Sequence, residues 1–214
     1  NLGLNYKYQA SEKEAFSIYI NDFDRNNKDD IVLSYYESGT EYPVRGKGCS
    51  TEQIPVISYK FKNYKSFASA SLAEIYTTDE LKKSLHYKVN SFASKYIENQ
   101  GDGKFKVRPL DNLAQISSIN SMITGDFNND GNLDIVSGGN LYGSEVETPR
   151  NDSSFGSMLV GDGAGDFKSQ MPYQSGLMVK GEVKAAMKIK LSGGQEGILF
   201  AKNNDYLQLV KIIK

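Results

Sequence analysis

The chain reads as an all-β protein of repeated antiparallel sheets interrupted by one helical insertion, and three observations lead there. Two acidic stretches of matching layout each run into a β-type apolar segment. Two glycine-rich turns follow them at a distance. The sequence between about residues 51 and 87 changes from alternating to helical periodicity.

The first acidic stretch is Asp22-Phe-Asp24-Arg-Asn26-Asn-Lys28-Asp-Asp30, and the second is Asp126-Phe-Asn128-Asn-Asp130-Gly-Asn132-Leu-Asp134. Each puts an oxygen-bearing side chain at the first, third, fifth and ninth loop positions. Calcium takes six to eight hard oxygen ligands, and a loop can supply them from alternate side chains plus a backbone carbonyl at the seventh position. Asp22, Asp24, Asn26 and Asp30 would be the side-chain ligands of one loop, with the carbonyl of Lys28. Asp126, Asn128, Asp130 and Asp134 would serve the other, with the carbonyl of Asn132. The sixth position needs a residue tolerant of positive φ, which suits Gly131 and, less well, Asn27.

An EF-hand would require a bidentate Glu at the twelfth position and flanking helices. That position holds Leu33 or Ser137. Asp30 opens Ile31-Val-Leu-Ser-Tyr-Tyr36 and Asp134 opens Ile135-Val-Ser-Gly-Gly139, both strand-like in composition. The loops therefore join strand to strand. The alternative is a pair of Asx-turn loops whose side chains bond only their own backbone.

A first unit is expected from Phe16-Ser-Ile-Tyr-Ile20 through the Asp22 loop to the turn Glu98-Asn-Gln-Gly-Asp102-Gly-Lys-Phe105. A second runs from Met122-Ile-Thr124 through the Asp126 loop to Gly161-Asp-Gly-Ala-Gly-Asp-Phe167, and glycine-rich pairs of this kind mark hairpins. The first unit is the longer because it holds the insertion. There, Thr77-Thr-Asp-Glu80 reads as a capping box, with Leu81 and Leu85 on one helix face. Ser71 to Tyr76 and Ile54 to Phe61 read as further short helices. Leu2 to Tyr8 is expected as a strand, and Val183 to Lys190, Gly197 to Lys202 and Leu207 to Ile213 as three strands of a last sheet, with Asn203-Asn204-Asp205 a turn.

About three four-stranded sheets in succession are the signature of β-propeller blades. Propellers close with about four to eight blades, so residues 1–214 are expected to be one partial propeller segment. The remainder of a longer propeller chain would be its natural partner.

The bulk composition limits the functional classes. A formal net charge of −1 over 214 residues gives no electrostatic reason to expect nucleic acid. No apolar run approaches the roughly 18 residues that span a bilayer. The chain lacks an initiator Met and a signal peptide, as a mature or excised segment would. One cysteine, Cys49, cannot form an internal disulfide. The single His86 has no zinc partner set and reads as a surface or helix-end residue.

The two acidic loops, with the Glu98–Phe105 and Gly161–Phe167 turns, resemble VCBS or FG-GAP-like repeats, the repeats of integrin α-subunit propellers and of many bacterial surface proteins. The wider run from Tyr42-Pro-Val-Arg45 through Gly138–Thr148 to Ala201–Asp205 is similar to the C-terminal part of large ASPIC/UnbV-associated VCBS-repeat proteins of Bacteroidota. The resemblance implies a calcium-stiffened propeller used for protein or glycan binding outside the inner membrane, at the cell surface, associated with the outer membrane, or secreted. It implies no catalytic residues, and it carries over only the ten loop positions named above. Asn27 in place of glycine and Asn128 in place of Asp depart from its pattern.

Two other functions compete with this reading. A calcium-dependent polysaccharide-active lyase or hydrolase would place its acid and base in the loop Glu145-Val-Glu147-Thr-Pro-Arg150-Asn-Asp152. Glycan recognition by exposed aromatic faces would use Tyr35, Tyr36 and Tyr42.

Overall fold

The computed structural model describes residues 1–144 and 148–213, and among them the chain is all-β: thirteen strands in four open antiparallel sheets, with short helices. These residues form two compact units, Lys7–Phe92 and a second made of Asn1–Tyr6 with Ala93 onward.

In the first unit, β1 (Phe16–Asn21) and β2 (Asp30–Glu37) flank the Asp22 loop and pair from Asn21↔Asp30 to Ser17↔Ser34. A two-residue turn, with Ser38 and Gly39 both at positive φ, returns the chain as β3 (Thr40–Pro43). Five short helices follow: α1 (Lys47–Gln53), α2 (Ile57–Lys60), α3 (Tyr64–Ala68), α4 (Leu72–Tyr76) and α5 (Thr78–Lys83). Then β4 (Leu85–Val89) pairs with the far edge of β1, giving the sheet order β3-β2-β1-β4.

Helices of four to seven residues are not stable alone. Caps and a shared core hold them. Asn63 caps α3 by accepting from the Ser66 N–H at 2.8 Å, and the reciprocal capping box falls at Ser71 and Glu74, opening α4. Tyr19 and Val32 of the sheet are buried with Ile54, Ile57, Phe61, Phe67, Leu72, Ile75 and Tyr76 of the insertion.

Two details of the insertion correct the sequence reading. Thr77 caps α5 through the Glu80 N–H, but the Glu80 side chain bonds Asn21 and Lys83 instead of completing a box. Leu85 is an exposed strand residue, because α5 ends at Lys83 and the helical spacing to Leu81 is broken. His86 lies in β4 with its ring stacked on Tyr19 at 4.0 Å.

The second unit begins its sheets with the hairpin of β5 (Lys95–Gly101) and β6 (Lys104–Pro109). This hairpin is a two-stranded sheet by itself, so the Glu98–Phe105 turn does not continue the sheet that holds the Asp22 loop. The physical reason is that β3 occupies the β2 edge where a next strand would add. After a 3-10 turn at Asn112–Gln115, β7 (Ile119–Gly125), β8 (Asp134–Gly139), β9 (Ser157–Gly161) and β10 (Phe167–Gln170) form a meander in the order β10-β9-β8-β7. This is the repeat unit expected around the Asp126 loop.

A single turn, α6 (Pro172–Ser175), precedes β11 (Val183–Lys190), β12 (Glu196–Lys202) and β13 (Gln208–Lys211), the three strands expected at the end of the chain. Their sheet packs on the meander through Phe127, Val136, Met158, Leu177, Val179, Val183, Ile198 and Phe200. Gly138 permits this approach, since a Cβ there would lie 2.9 Å from the Val183 methyls.

Leu2 to Tyr8 is not a strand. Gly3 at φ +76 presses its backbone against Gln115, whose carbonyl accepts from the Leu4 and Asn5 N–H groups. Alternation of residue type does not make a strand where the backbone donors are already committed to a turn.

Candidate metal loops

The two acidic loops share four side-chain-to-backbone hydrogen bonds. At the ninth position Asp30 accepts from the Phe23 N–H at 3.1 Å, and Asp134 from the Phe127 N–H at 2.9 Å. At the first position Asp22 accepts from the Asn27 N–H at 2.8 Å, and Asp126 from the Gly131 N–H at 3.1 Å. The third-position oxygens of Asp24 and Asn128 accept from Asn26 and Asp130, at 3.2 and 2.9 Å. The fifth-position oxygens accept from Lys28 and Asn132, at 2.9 and 2.8 Å.

Backbone conformation repeats as well. Asn27 and Gly131 at the sixth position have φ of 63° and 87°, as the sequence suggests, and Arg25 and Asn129 at the fourth position are both at 62°. The fourth position was not legible from residue type, since arginine is not a residue that favours the left-handed region.

The self-bonding of the Asx-turn alternative is therefore present, yet it leaves ligand capacity. An ionised carboxylate offers about four lone-pair sites, and each of these hydrogen bonds uses one. In the first loop Asp22, Asp24 and Asp30 each place an oxygen within 4.8 Å of the others. No second trio of Asp, Glu, His or Cys groups comes this close among the described residues. In the second loop the three carboxylates, Asp126, Asp130 and Asp134, do not converge this closely, and Asp126 Oδ1 is a buried atom with no hydrogen-bond partner. Both arrangements fit a hard cation: one by convergent negative charge, the other by an orphaned buried oxygen that a cation would satisfy.

The loops differ in how the ninth-position Asp is tied to its surroundings. Asp134 is fully buried, and its second oxygen accepts from the Gly161 N–H of β9 at 3.1 Å. Gly161 has no room for a side chain, because a Cβ would sit 2.2 Å from the Leu133 carbonyl oxygen. The glycine-rich turn is thus pressed onto the acidic loop. In the first loop, Asp30 accepts instead from the Gln53 side-chain amide at 3.2 Å, a contribution of α1. Sequence reasoning missed Gln53, since no short-range pattern links it to the loop.

Burial pushes the Asp30 carboxyl above its ordinary value, against the opposing effect of the Gln53 and Phe23 hydrogen bonds. Asp130 is held below the usual carboxylate range, chiefly by the Asn132 N–H and then by Asn128. Lys28 and Asn132, expected to ligate through their carbonyls, hold the seventh position through their N–H groups as described above.

Residues 90–137 match the family model for the FG-GAP-like repeat. The matched segment spans β5, β6, β7, the Asp126 loop and the start of β8, and the Asp22 loop lies outside it. Comparison with curated proteins gave no match, and comparison with solved structures gave none. No helix among the described residues is long and apolar enough to cross a membrane.

The remaining candidate residues separate. Glu145 and Glu147 lie outside the described residues. Tyr35 and Tyr42 are cross-strand neighbours with ring centroids 6.2 Å apart. Tyr36 lies on the opposite face, its hydroxyl donating to Glu41.

Proposed function

We propose that this chain is a non-enzymatic β-propeller-type binding or scaffolding module whose two acidic loops each hold a calcium ion outside the cytoplasm. The observation that carries the reading is oxygen capacity left over inside the loops: Asp22, Asp24 and Asp30 converge within 4.8 Å of one another, and Asp126 Oδ1 is buried without a hydrogen-bond partner. The four hydrogen bonds and two left-handed positions that the loops share mark them as two copies of one motif. A cation there would relieve carboxylate repulsion in the first loop and satisfy Asp126 in the second, fixing the β1–β2 and β7–β8 connections. The FG-GAP-like match supports a binding module, since that repeat is typically non-catalytic. Millimolar calcium outside the cytoplasm would fill loops of modest affinity. The partner would be the remainder of a longer propeller, or a protein or glycan docked on an exposed face.

Calorimetric titration of calcium into the chelator-treated chain tests the proposal. Two sites are expected, one removed by Asp22→Ala with Asp24→Ala and the other by Asp126→Ala with Asp130→Ala. Absence of binding at millimolar calcium, or retention of both sites in both variants, would overturn it.

A further inference from the structure

The β5–β6 hairpin has no core of its own. In its two strands only Tyr96, Glu98 and Arg108 are even partly buried, and the face carrying Ile97, Phe105 and Val107 is open. An isolated two-stranded hairpin is marginally stable at best, so its order depends on what those three residues touch. The base is fixed by Gln115, whose side chain bonds the Ser94 N–H and the carbonyls of Ser94 and Leu110. The middle is held by the glycine-rich turn at 161–167.

Arg108 is the clamp. Its guanidinium donates to Asp166 at 2.6 Å, to Glu98 at 2.9 Å and to the Ala164 carbonyl at 3.4 Å. It also lies 5.4 Å from the Tyr96 ring centroid, and that ring is 5.3 Å from Phe167. Gly165 leaves the space, since a Cβ there would fall 2.5 Å from Arg108 Nη2. One cation therefore joins an acid of the hairpin to an acid of the turn, through charge-assisted hydrogen bonds.

The turn rests in its own right on the second acidic loop. Asp134 accepts from the Gly161 N–H at 3.1 Å, and Asn132 Oδ1 lies 2.5 Å from where a Cβ on Gly163 would be. Asn132 and Asp134 are the seventh and ninth loop positions, two of those assigned to the ion. The first loop has no such seat, because its ninth position meets Gln53 of α1.

We propose that calcium in the Asp126 loop controls the docking of the β5–β6 hairpin, acting through the 161–167 turn and Arg108. An ion held by the Asn132 carbonyl and the Asp134 carboxylate fixes the two residues on which the turn sits. A ligand shifts an equilibrium only through groups it holds differently in the two states, and here those groups touch the turn directly. This inference rests on the calcium reading above and names what the second site regulates.

Hydrogen exchange of the full chain, in calcium and in chelator, tests it. In calcium the amides of both β7–β8 and β5–β6 are expected to exchange more slowly, the hairpin by about tenfold, within the roughly hundredfold that a hundredfold excess over Kd supplies. Arg108→Gln is expected to keep the β7–β8 response and lose that of the hairpin. Asp126→Ala with Asp130→Ala is expected to lose both responses, and Asp22→Ala with Asp24→Ala to keep both.

Slower exchange in β7–β8 with an unchanged hairpin would overturn this inference and leave the calcium reading standing. A hairpin response that survives Arg108→Gln, or that survives Asp126→Ala with Asp130→Ala, would overturn it as well. No calcium effect on any strand would overturn the calcium reading itself, and this inference with it.

Discussion

Replacing Asp134 by alanine removes one carboxylate that satisfies two backbone donors, the N–H groups of Phe127 and Gly161. Asp134 is fully buried, so water does not readily take its place. Leaving a buried donor unsatisfied costs about 1–3 kcal/mol, so Asp134→Ala is expected to destabilise the second unit by about 2–6 kcal/mol, the sum over the two donors. Asp30→Ala is the internal control. It strands only the Phe23 N–H, because the second donor to Asp30 is the Gln53 side chain, which can rotate away. Its expected cost is about half as large, roughly 1–3 kcal/mol. Native-state hydrogen exchange in chelator reads β7–β8 and β1–β2 separately and gives both free energies in one experiment. Equal costs for the two variants, or less than about 1 kcal/mol for Asp134→Ala, would refute the reasoning.

Three further outcomes follow from the same contacts. Gly161→Ala must push its Cβ away from a carbonyl oxygen 2.2 Å distant; it is expected to lower the urea midpoint more than Gly131→Ala, whose added methyl meets open space and pays only the cost of its positive φ, about 1 kcal/mol. Arg25→Gly relieves a left-handed arginine and is expected to raise stability by about 0.5–1 kcal/mol in chelator, seen as a higher melting temperature. His86 has a buried Nε2 without a hydrogen-bond partner, and burial holds its pKa below the ordinary value. The unfolded chain then binds the proton more readily, so the neutral-form stability is complete above about pH 6.5 and falls as pH drops from there through the lower folded value. Urea midpoints of His86→Phe should lack that fall, and the same slope in both proteins would contradict it.

What the sequence disclosed was what short-range chemistry dictates. Both acidic loops were readable because oxygen side chains at alternate positions have few uses, and the glycine at 131 marked a left-handed residue. Helices α2 and α4 fall within the segments Ile54–Phe61 and Ser71–Tyr76 that the sequence marks as short helices, and β11 to β13 were readable from alternation. Partners distant in sequence were not readable. Whether the Glu98–Phe105 hairpin joins β2 depends on whether β3 holds that edge, and the Ser38-Gly39 turn puts β3 there. Gln53 reaches Asp30 from α1 across the fold, with no local pattern linking the two. Thr77 misled because it sits at φ 62 between two helices, so it caps α5 while Glu80 is drawn to Asn21. Leu2–Tyr8 misled because Gly3 folds the chain onto Gln115.

The central claim is that the two loops are cation sites that stiffen the module, and a thermal melt in calcium against chelator tests it most directly. Binding to the folded state alone adds RT ln(1 + [L]/Kd), about 2.7 kcal/mol at a hundredfold excess over Kd. The account predicts a calcium-dependent rise in melting temperature that shrinks when Asp22 or Asp126 is replaced by alanine and disappears when both are. An unchanged melt in calcium, or a rise that survives the double replacement, would contradict it and leave the loops as self-bonded turns.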